Sequence, residues 1–258
     1  MTELRGLYTL WLREVKRYLR DRTRIVSSFV QPLLWLVVFG TGIGAALRGG
    51  LQIPGLSFQQ LIFPGIVAQT LLFTSMFMGI SVIWDKEFGF MKEILVAPVS
   101  RFSVVVGKAM SGMLLSTTQA VIILALFPFI GLKLDLLQIT GILLVCAVLS
   151  FAIAAFGILL ASFYDSYESF SVIMNFIVMP MFFLSGAMYP VKLLPAILRT
   201  VAKFNPLTYG IDALKNIIFP LETGRMGADF SLFMDVSVIL AASVVFVLIA
   251  GKTFERKV

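Results

Sequence analysis

The chain has no histidine, a single cysteine and little charge: 14% of its 258 residues are Asp, Glu, Lys or Arg, where a soluble domain carries about 25%. It therefore lacks the charged surface that a water-soluble protein needs. Without histidine the commonest metal ligand and general base are gone. Cys146 stands alone inside an apolar run, which excludes an intrachain disulfide and suits a buried structural thiol. No cysteine pair or GxSxG string exists, so metal and acyl-transfer chemistry have no candidate residues. Gly251, Lys252 and Thr253 resemble the end of a phosphate loop, but Phe246 stands where its first glycine belongs. No catalytic residue and no metal ligand is predicted. No charge falls in the middle of an apolar run, which weakens the case for an ion-coupled carrier.

What the chain does have is apolar length. Hydrophobic residues make up 59% of it, and about 20 of them in a row cross about 30 Å of hydrocarbon as a helix. Runs at 25–47, 61–83, between Lys108 and Lys133, 136–164, 169–191 and 236–251 qualify, the last being short. A soluble core has nothing large enough to cover six such runs. The expected fold is all-α: a polytopic membrane protein with six transmembrane helices, forming one domain over 1–258. The first run is longer than a signal-peptide core, and a patterned segment precedes it.

The charge balance is basic, with 21 Lys plus Arg against 14 Asp plus Glu. The densest basic block directly precedes the first apolar run, so membrane lipids, and not nucleic acid, are the expected surface partner. Arg5, Arg13, Lys16, Arg17, Arg20, Arg22 and Arg24 precede that run, and Lys252, Arg256 and Lys257 follow the sixth. Lys86, Lys92, Arg101 and Lys108 lie on the same side of a six-span topology. The positive-inside rule makes that side, with both termini, cytoplasmic.

Three segments are not spans. Residues 3–22 place Leu4, Leu7, Tyr8, Trp11, Val15, Tyr18 and Leu19 at helical spacing, with Arg13, Lys16, Arg17 and Arg20 mainly opposite. That predicts an amphipathic helix in the headgroup plane, serving as an anchor, as a mechanical element touching a cytoplasmic partner, or as both. The connection 84–101 predicts a short helix over 85–96 ended by Pro98, either a solvated connector or a docking element. Segment 185–235 carries Pro190, Pro195, Pro206 and Pro220 around two short apolar stretches. These fit short re-entrant helices on the outer face, the second starting at Asn205–Pro206. Asn175, Gln69 and Gln119, polar groups inside runs, are expected to glue helices together, and Gly157 with Ala161 to let two helices approach closely.

The string WDKEFGFMKEILVAPVSR at 84–101 resembles the cytoplasmic loop of type-2 ATP-binding-cassette (ABC) export permeases of the drug-resistance and nodulation-factor kind. NPLTYGIDALK at 205–215 resembles the outer-loop signature of the same family. The resemblance implies a transmembrane permease subunit in a prokaryotic cytoplasmic (inner) membrane. A second permease chain, in a homodimer, and two ABC ATPase subunits would complete it. The chain would bind no cofactor, with ATP and Mg²⁺ held by the partner ATPase. ATPase coupling would fall to Asp85, Lys86, Glu87, Phe88, Gly89, Lys92, Glu93, Leu95, Pro98 and Arg101, with 85–97 as coupling helix. Trp11, Arg13, Lys16, Arg17 and Arg20 would mark the interface helix, and Asn205, Pro206, Leu207, Tyr209 and Asp212 the outer-loop signature. The implied cargo is a drug, a lipid or a lipid-linked glycan. An ion-coupled secondary transporter or channel is the alternative.

Overall fold

A computed structural model describes residues 2–38, 57–91, 100–219 and 228–256. Within them the chain is helical, with no strand. Helix α1 spans Thr2–Arg20 and α2 Arg22–Val37, separated only at Asp21. The rest of the first predicted run, from 39 to 47, lies outside the described residues.

Helix α3, Phe58–Glu87, begins at a capping box in which Ser57 and Gln60 satisfy each other's backbone N–H groups. Its 30 residues make it roughly 45 Å long, longer than the hydrocarbon layer. Its last turn therefore carries Asp85, Lys86 and Glu87 beyond the apolar stretch. Helix α4, Arg101–Leu124, is capped by Ser100 and followed by a 3₁₀ turn at Phe127–Ile130. Helix α5, Leu136–Phe163, starts at a second capping box, Asp135 with Gln138. Helices α6, Tyr167–Leu184, α7, Ala196–Lys203, α8, Pro206–Ile218, and α9, Leu232–Arg256, complete the chain.

Among the described residues, α3, α5, α6 and α9 are long and apolar enough to cross a membrane. Helix α4 is as long, but Lys108, Ser111, Ser116, Thr117, Thr118 and Gln119 dilute its apolar content. The predicted third span began after Lys108; the helix begins at Arg101 and takes the lysine inside it. The predicted sixth span is longer than its apolar run, reaching Leu232–Arg256.

Helix α5 is the hub, packed against α3, α4, α8 and α9. Its crossing with α3 is close enough to exclude side chains. A Cβ on Gly79 would lie 2.6 Å from the Gly157 carbonyl oxygen and 2.5 Å from Phe170 Cζ. The short distance gained there brings the two longest helices into full van der Waals contact. Gly157 thus serves close approach, and the approach is within this chain. Helix α3 is buried along most of its length, whereas α6 and α9 expose most of theirs.

Candidate functional site

At the Glu87 end of α3 the structure buries a compact ion network that joins α1, α3 and α4. Lys108, about two turns into α4 and 1% exposed, donates to three groups. Its Nζ lies 2.6 Å from Asp85 Oδ2, 3.1 Å from Glu14 Oε1 and 3.0 Å from Ser81 Oγ. Those three bonds use every ammonium proton. Ser81 in turn donates to Glu14 Oε2 at 2.8 Å. Arg13 closes the ring, its guanidinium 2.6 Å from Asp85 Oδ2 and 2.9 Å from Glu14 Oε1. Two carboxylates thus face two cations, Lys108 deeply buried and Arg13 partly open to water, and the charges cancel. Arg17 lies 3.9 Å from Asp85 Oδ1 and 4.6 Å from the Trp84 ring centre, a cation over an aromatic face.

The physical cost of such a site is desolvation, which only complete pairing offsets. Burial pushes the Glu14 carboxyl up, but Lys108, the Arg13 and Ser81 hydrogen bonds and the Arg13 charge together hold it down at about 2. The network therefore pins α1 to the bundle through charge. Arg13, expected mainly opposite the apolar face, turns into the bundle, while Tyr8 and Leu19 leave part of the apolar face exposed. Trp11 stacks on Tyr8, and its carbonyl accepts from Ser111 of α4. Lys16 and Arg20 are exposed.

The neighbouring residues of the same turn clamp a second junction. Lys86 Nζ donates to the carbonyls of Ala161 at 2.9 Å and Tyr164 at 2.6 Å, and pairs with Asp165 at 3.1 Å. It satisfies the carbonyls that the C-terminus of α5 leaves without helical partners. Glu87 Oε1 accepts from the Tyr167 N–H, the first of α6, at 2.8 Å. Trp84 stacks on Tyr167. The α5–α6 connection, which lacks basic residues of its own, thus receives one from α3.

Helix α3 ends at Glu87, so Asp85, Lys86 and Glu87 close a long helix and do not open a separate short one. Gly89, at φ +80°, makes the break in a region where other residues are strained. Phe88 and Phe90 on either side are 68% and 49% exposed. Arg101 opens α4 just after its capping Ser100. Lys92, Glu93, Leu95 and Pro98 lie outside the described residues.

The second predicted set gathers at the other end of the bundle. Asn205 caps α8 by accepting from Leu207 N–H at 3.0 Å, and its amide donates to the Met181 carbonyl. Pro206, at the first helical position, needs no N–H partner. Tyr209 donates to the Lys203 carbonyl at 2.8 Å. Asp212 accepts from the N–H groups of Asp229 and Phe230, at 2.8 Å each for the shorter bonds. Leu207 is fully buried. These residues lock α7, α8 and the start of α9 together; the structure does not bring them near the Lys108 network. Two partners that sequence reasoning missed are Lys215, donating to the Gly186 carbonyl at 2.7 Å, and Gln138, donating to that of Ile217 at 2.9 Å.

Of the three polar groups read as helix glue, Gln119 bridges helices, accepting from Thr74 and donating to Tyr18. Asn175 donates to Ser171 of its own helix instead. Gln69 is buried, and its Oε1 has no partner. Gly251, of the loop-like Gly-Lys-Thr string, sits in α9 against Phe102, with no loop to hold a phosphate.

The chain is similar to known transport permeases. The chain is 23% identical over 255 residues to the inner membrane transport permease YadH of Escherichia coli, covering 97% of this chain and 95% of that one. It is 30% identical over 216 residues to a protein of Cyanophora paradoxa named transport permease ycf38, covering 82% of this chain and 73% of the other. The multidrug ABC transporter permease YbhR of E. coli is 26% identical over 171 residues, 64% of this chain and 45% of that protein. Residues 5–219 match the membrane family described as ABC-2 type transporter, and the chain, an integral membrane protein by its apolar helices, belongs to that family.

Proposed function

We propose that the chain is the membrane-embedded half of an ATP-driven exporter, two copies forming the pathway and two separate ABC ATPase subunits driving it. In this reading α2 and α4 join the four apolar helices as spans, giving six. Both termini and the Glu87 end of α3 face the cytoplasm, and α7 and α8 sit at the outer face. The membrane is the prokaryotic inner one, and α1 lies along its cytoplasmic surface. ATP and Mg²⁺ bind the partner. The cargo is a drug, a lipid or a lipid-linked glycan.

The observation that carries the reading is the exposed pair Phe88 and Phe90 at the tip of a rigid helix end. Exposed aromatic rings on a charged turn suit a groove on a soluble protein, where rings of this kind dominate binding energy. Behind them Asp85 is buried in the ion network, and Lys86 and Glu87 are engaged with the α5–α6 junction, which leaves the exposed rings to dock. Dimer formation is supported by α6, which exposes Val172, Phe176 and Met179 together with the Asn175 amide. A polar amide at mid-helix is better placed against protein or a wet pathway than in lipid.

The test is co-purification in detergent with the ATPase encoded beside this chain. Wild type is expected to retain the ATPase. A Phe88→Asp, Phe90→Asp variant is expected to lose it while eluting as a folded permease. If neither chain retains any ATPase, the exporter reading fails and an ion-driven carrier takes its place.

A further inference from the structure

A groove of about 400 Å³ opens sideways between α4, α5 and α9, within the size range of ligand pockets, about 300–1,000 Å³. Val106 and Met113 come from α4, Val148 and Phe151 from α5, and Leu240 and Leu248 from α9. Ser243 is its one polar lining residue, and the Ser243 hydroxyl donates to the Ile239 carbonyl at 2.8 Å. With that proton spent, the groove offers a ligand no side-chain donor. A polar group placed in it would give up water without a matching hydrogen bond. The lining suits hydrocarbon.

The ends of the groove say which hydrocarbon. The lining positions of α9, from Leu240 through Ser243, Val244 and Val247 to Leu248, recur at helical spacing, so the stripe runs on to Gly251 and Lys252. At Gly251 the groove closes, because a Cβ there would lie 2.5 Å from the Phe102 ring of α4. Lys252 stands exposed just past that closure, and Arg101 precedes Phe102 on the other helix. The groove therefore has a cation at its Arg256 end. The twelve residues from Leu240 to Lys252 rise about 18 Å, close to one leaflet, about half of a 30 Å hydrocarbon layer. A tail that starts at the level of Lys252 ends near the midplane beside Leu240.

We propose that this groove holds one acyl chain of an anionic phospholipid, drawn from the leaflet at the Arg256 end of α9, with the phosphate at Lys252. The apolar stripe seats the tail, and the Lys252 ammonium, on its flexible stem, reads the charge of the headgroup. The site rests on the six-span reading in placing α4 beside α9 in the bilayer; it requires no ATPase.

The experiment takes the purified full chain in nanodiscs of equimolar dioleoylphosphatidylglycerol and dioleoylphosphatidylcholine. Native mass spectrometry then counts the lipids retained when the disc is stripped away. Wild type is expected to retain phosphatidylglycerol about five-fold over phosphatidylcholine. Lys252→Gln, a change at an exposed position, should abolish that preference and keep the lipid count. Val148→Trp fills the groove and should lower the count by one per chain. If that variant does not elute as a folded protein, Leu248→Trp, at a position 47% exposed, replaces it. Wild type that retains no lipid, or retains both equally, overturns the proposal. So does a preference that survives Lys252→Gln, or a count that the tryptophan leaves unaltered. Val244→Cys tests a second copy of the chain as the occupant: no disulfide-linked dimer is expected on oxidation in the nanodisc, and its formation overturns the lipid site. A chain that retains its ATPase but no lipid sinks this proposal alone; a selected lipid without any ATPase sinks the exporter reading alone.

Discussion

Lys108 and Asp85 meet at 2.6 Å in a place where neither is more than 2% exposed. The contact joins the second turn of one helix to the last turn of another, and through Glu14 and Arg13 it takes in α1 as well. Removing one member of such a set costs more than the set contributes, because the remaining charges stay buried without a partner.

Lys108→Met is therefore expected to destabilise the purified permease by about 3–5 kcal/mol, read as a lower thermal unfolding midpoint and as faster proteolysis of α1. The triple variant Lys108→Met, Glu14→Gln, Asp85→Asn should recover much of that loss, because it removes the charges together. A Lys108→Met protein that melts with wild type would show that α1 is held without Lys108, by the Arg13–Asp85 pair and its apolar contacts.

Glu14 gives the network a pH signature. Its carboxyl sits at about 2 when folded, against an ordinary 4.5. A depressed carboxyl contributes stability that is complete above the ordinary value and fades as pH falls toward the folded one. The gap in stability between wild type and Glu14→Gln should be flat at neutral pH, where the shift corresponds to about 3 kcal/mol. It should then shrink from about pH 5 downward. Unfolding midpoints measured across that interval check it, and a constant gap would place the stabilisation outside the charge.

Gly79→Ala places a methyl group against the Gly157 backbone, which cannot swing aside as a side chain would. A loss of about 1–3 kcal/mol is expected, visible as reduced yield of folded protein. Gly89→Ala is the control: its Cβ meets open space, and only the positive φ resists it, at about 1 kcal/mol.

Asp212 accepts from two backbone N–H groups, that of Asp229 shared between both carboxylate oxygens and that of Phe230 on Oδ2. Asn in its place keeps one neutral acceptor oxygen and sets an NH2 donor where the second oxygen stood, so the bonds weaken. Asp212→Asn should speed hydrogen exchange at the amides of Asp229 and Phe230 about ten-fold, with α3 and α5 unaffected. Unchanged exchange there would mean that α8 and α9 are joined by packing alone.

Most of the helices were legible because their signal is local. A run of apolar residues between charges is enough for α3, α5, α6 and α9, and Asn205 before Pro206 marked the start of α8. The turn at the end of α3 was misplaced for a physical reason: helix continues past the apolar stretch wherever side chains can satisfy the next junction, as Lys86 and Glu87 do for α5 and α6. Glu14 was overlooked although its spacing carried a clue. It stands three residues after Trp11 and four before Tyr18, on the face that turns inward. Among so many arginines one acid reads as a surface counter-charge, and only the partner 94 positions away, Lys108, reveals otherwise. Long-range pairing of that kind leaves no periodic trace. The orphan oxygen of Gln69 is invisible for the same reason, since it depends on which distant side chains fold against it.

Helix α5 is gripped at both ends: Gln138 near its start holds the Ile217 carbonyl, and Lys86 holds its last carbonyls. Its 28 residues give it a length of about 42 Å. A stiff rod fastened at its two tips behaves as a lever. A tilt of about 5°, imposed where Lys86 grips it, moves the far tip by about 4 Å at this length. That is enough to shift one side chain past another beside Ile217, so any rocking imposed at the Lys86 grip would arrive at α8 as a displacement.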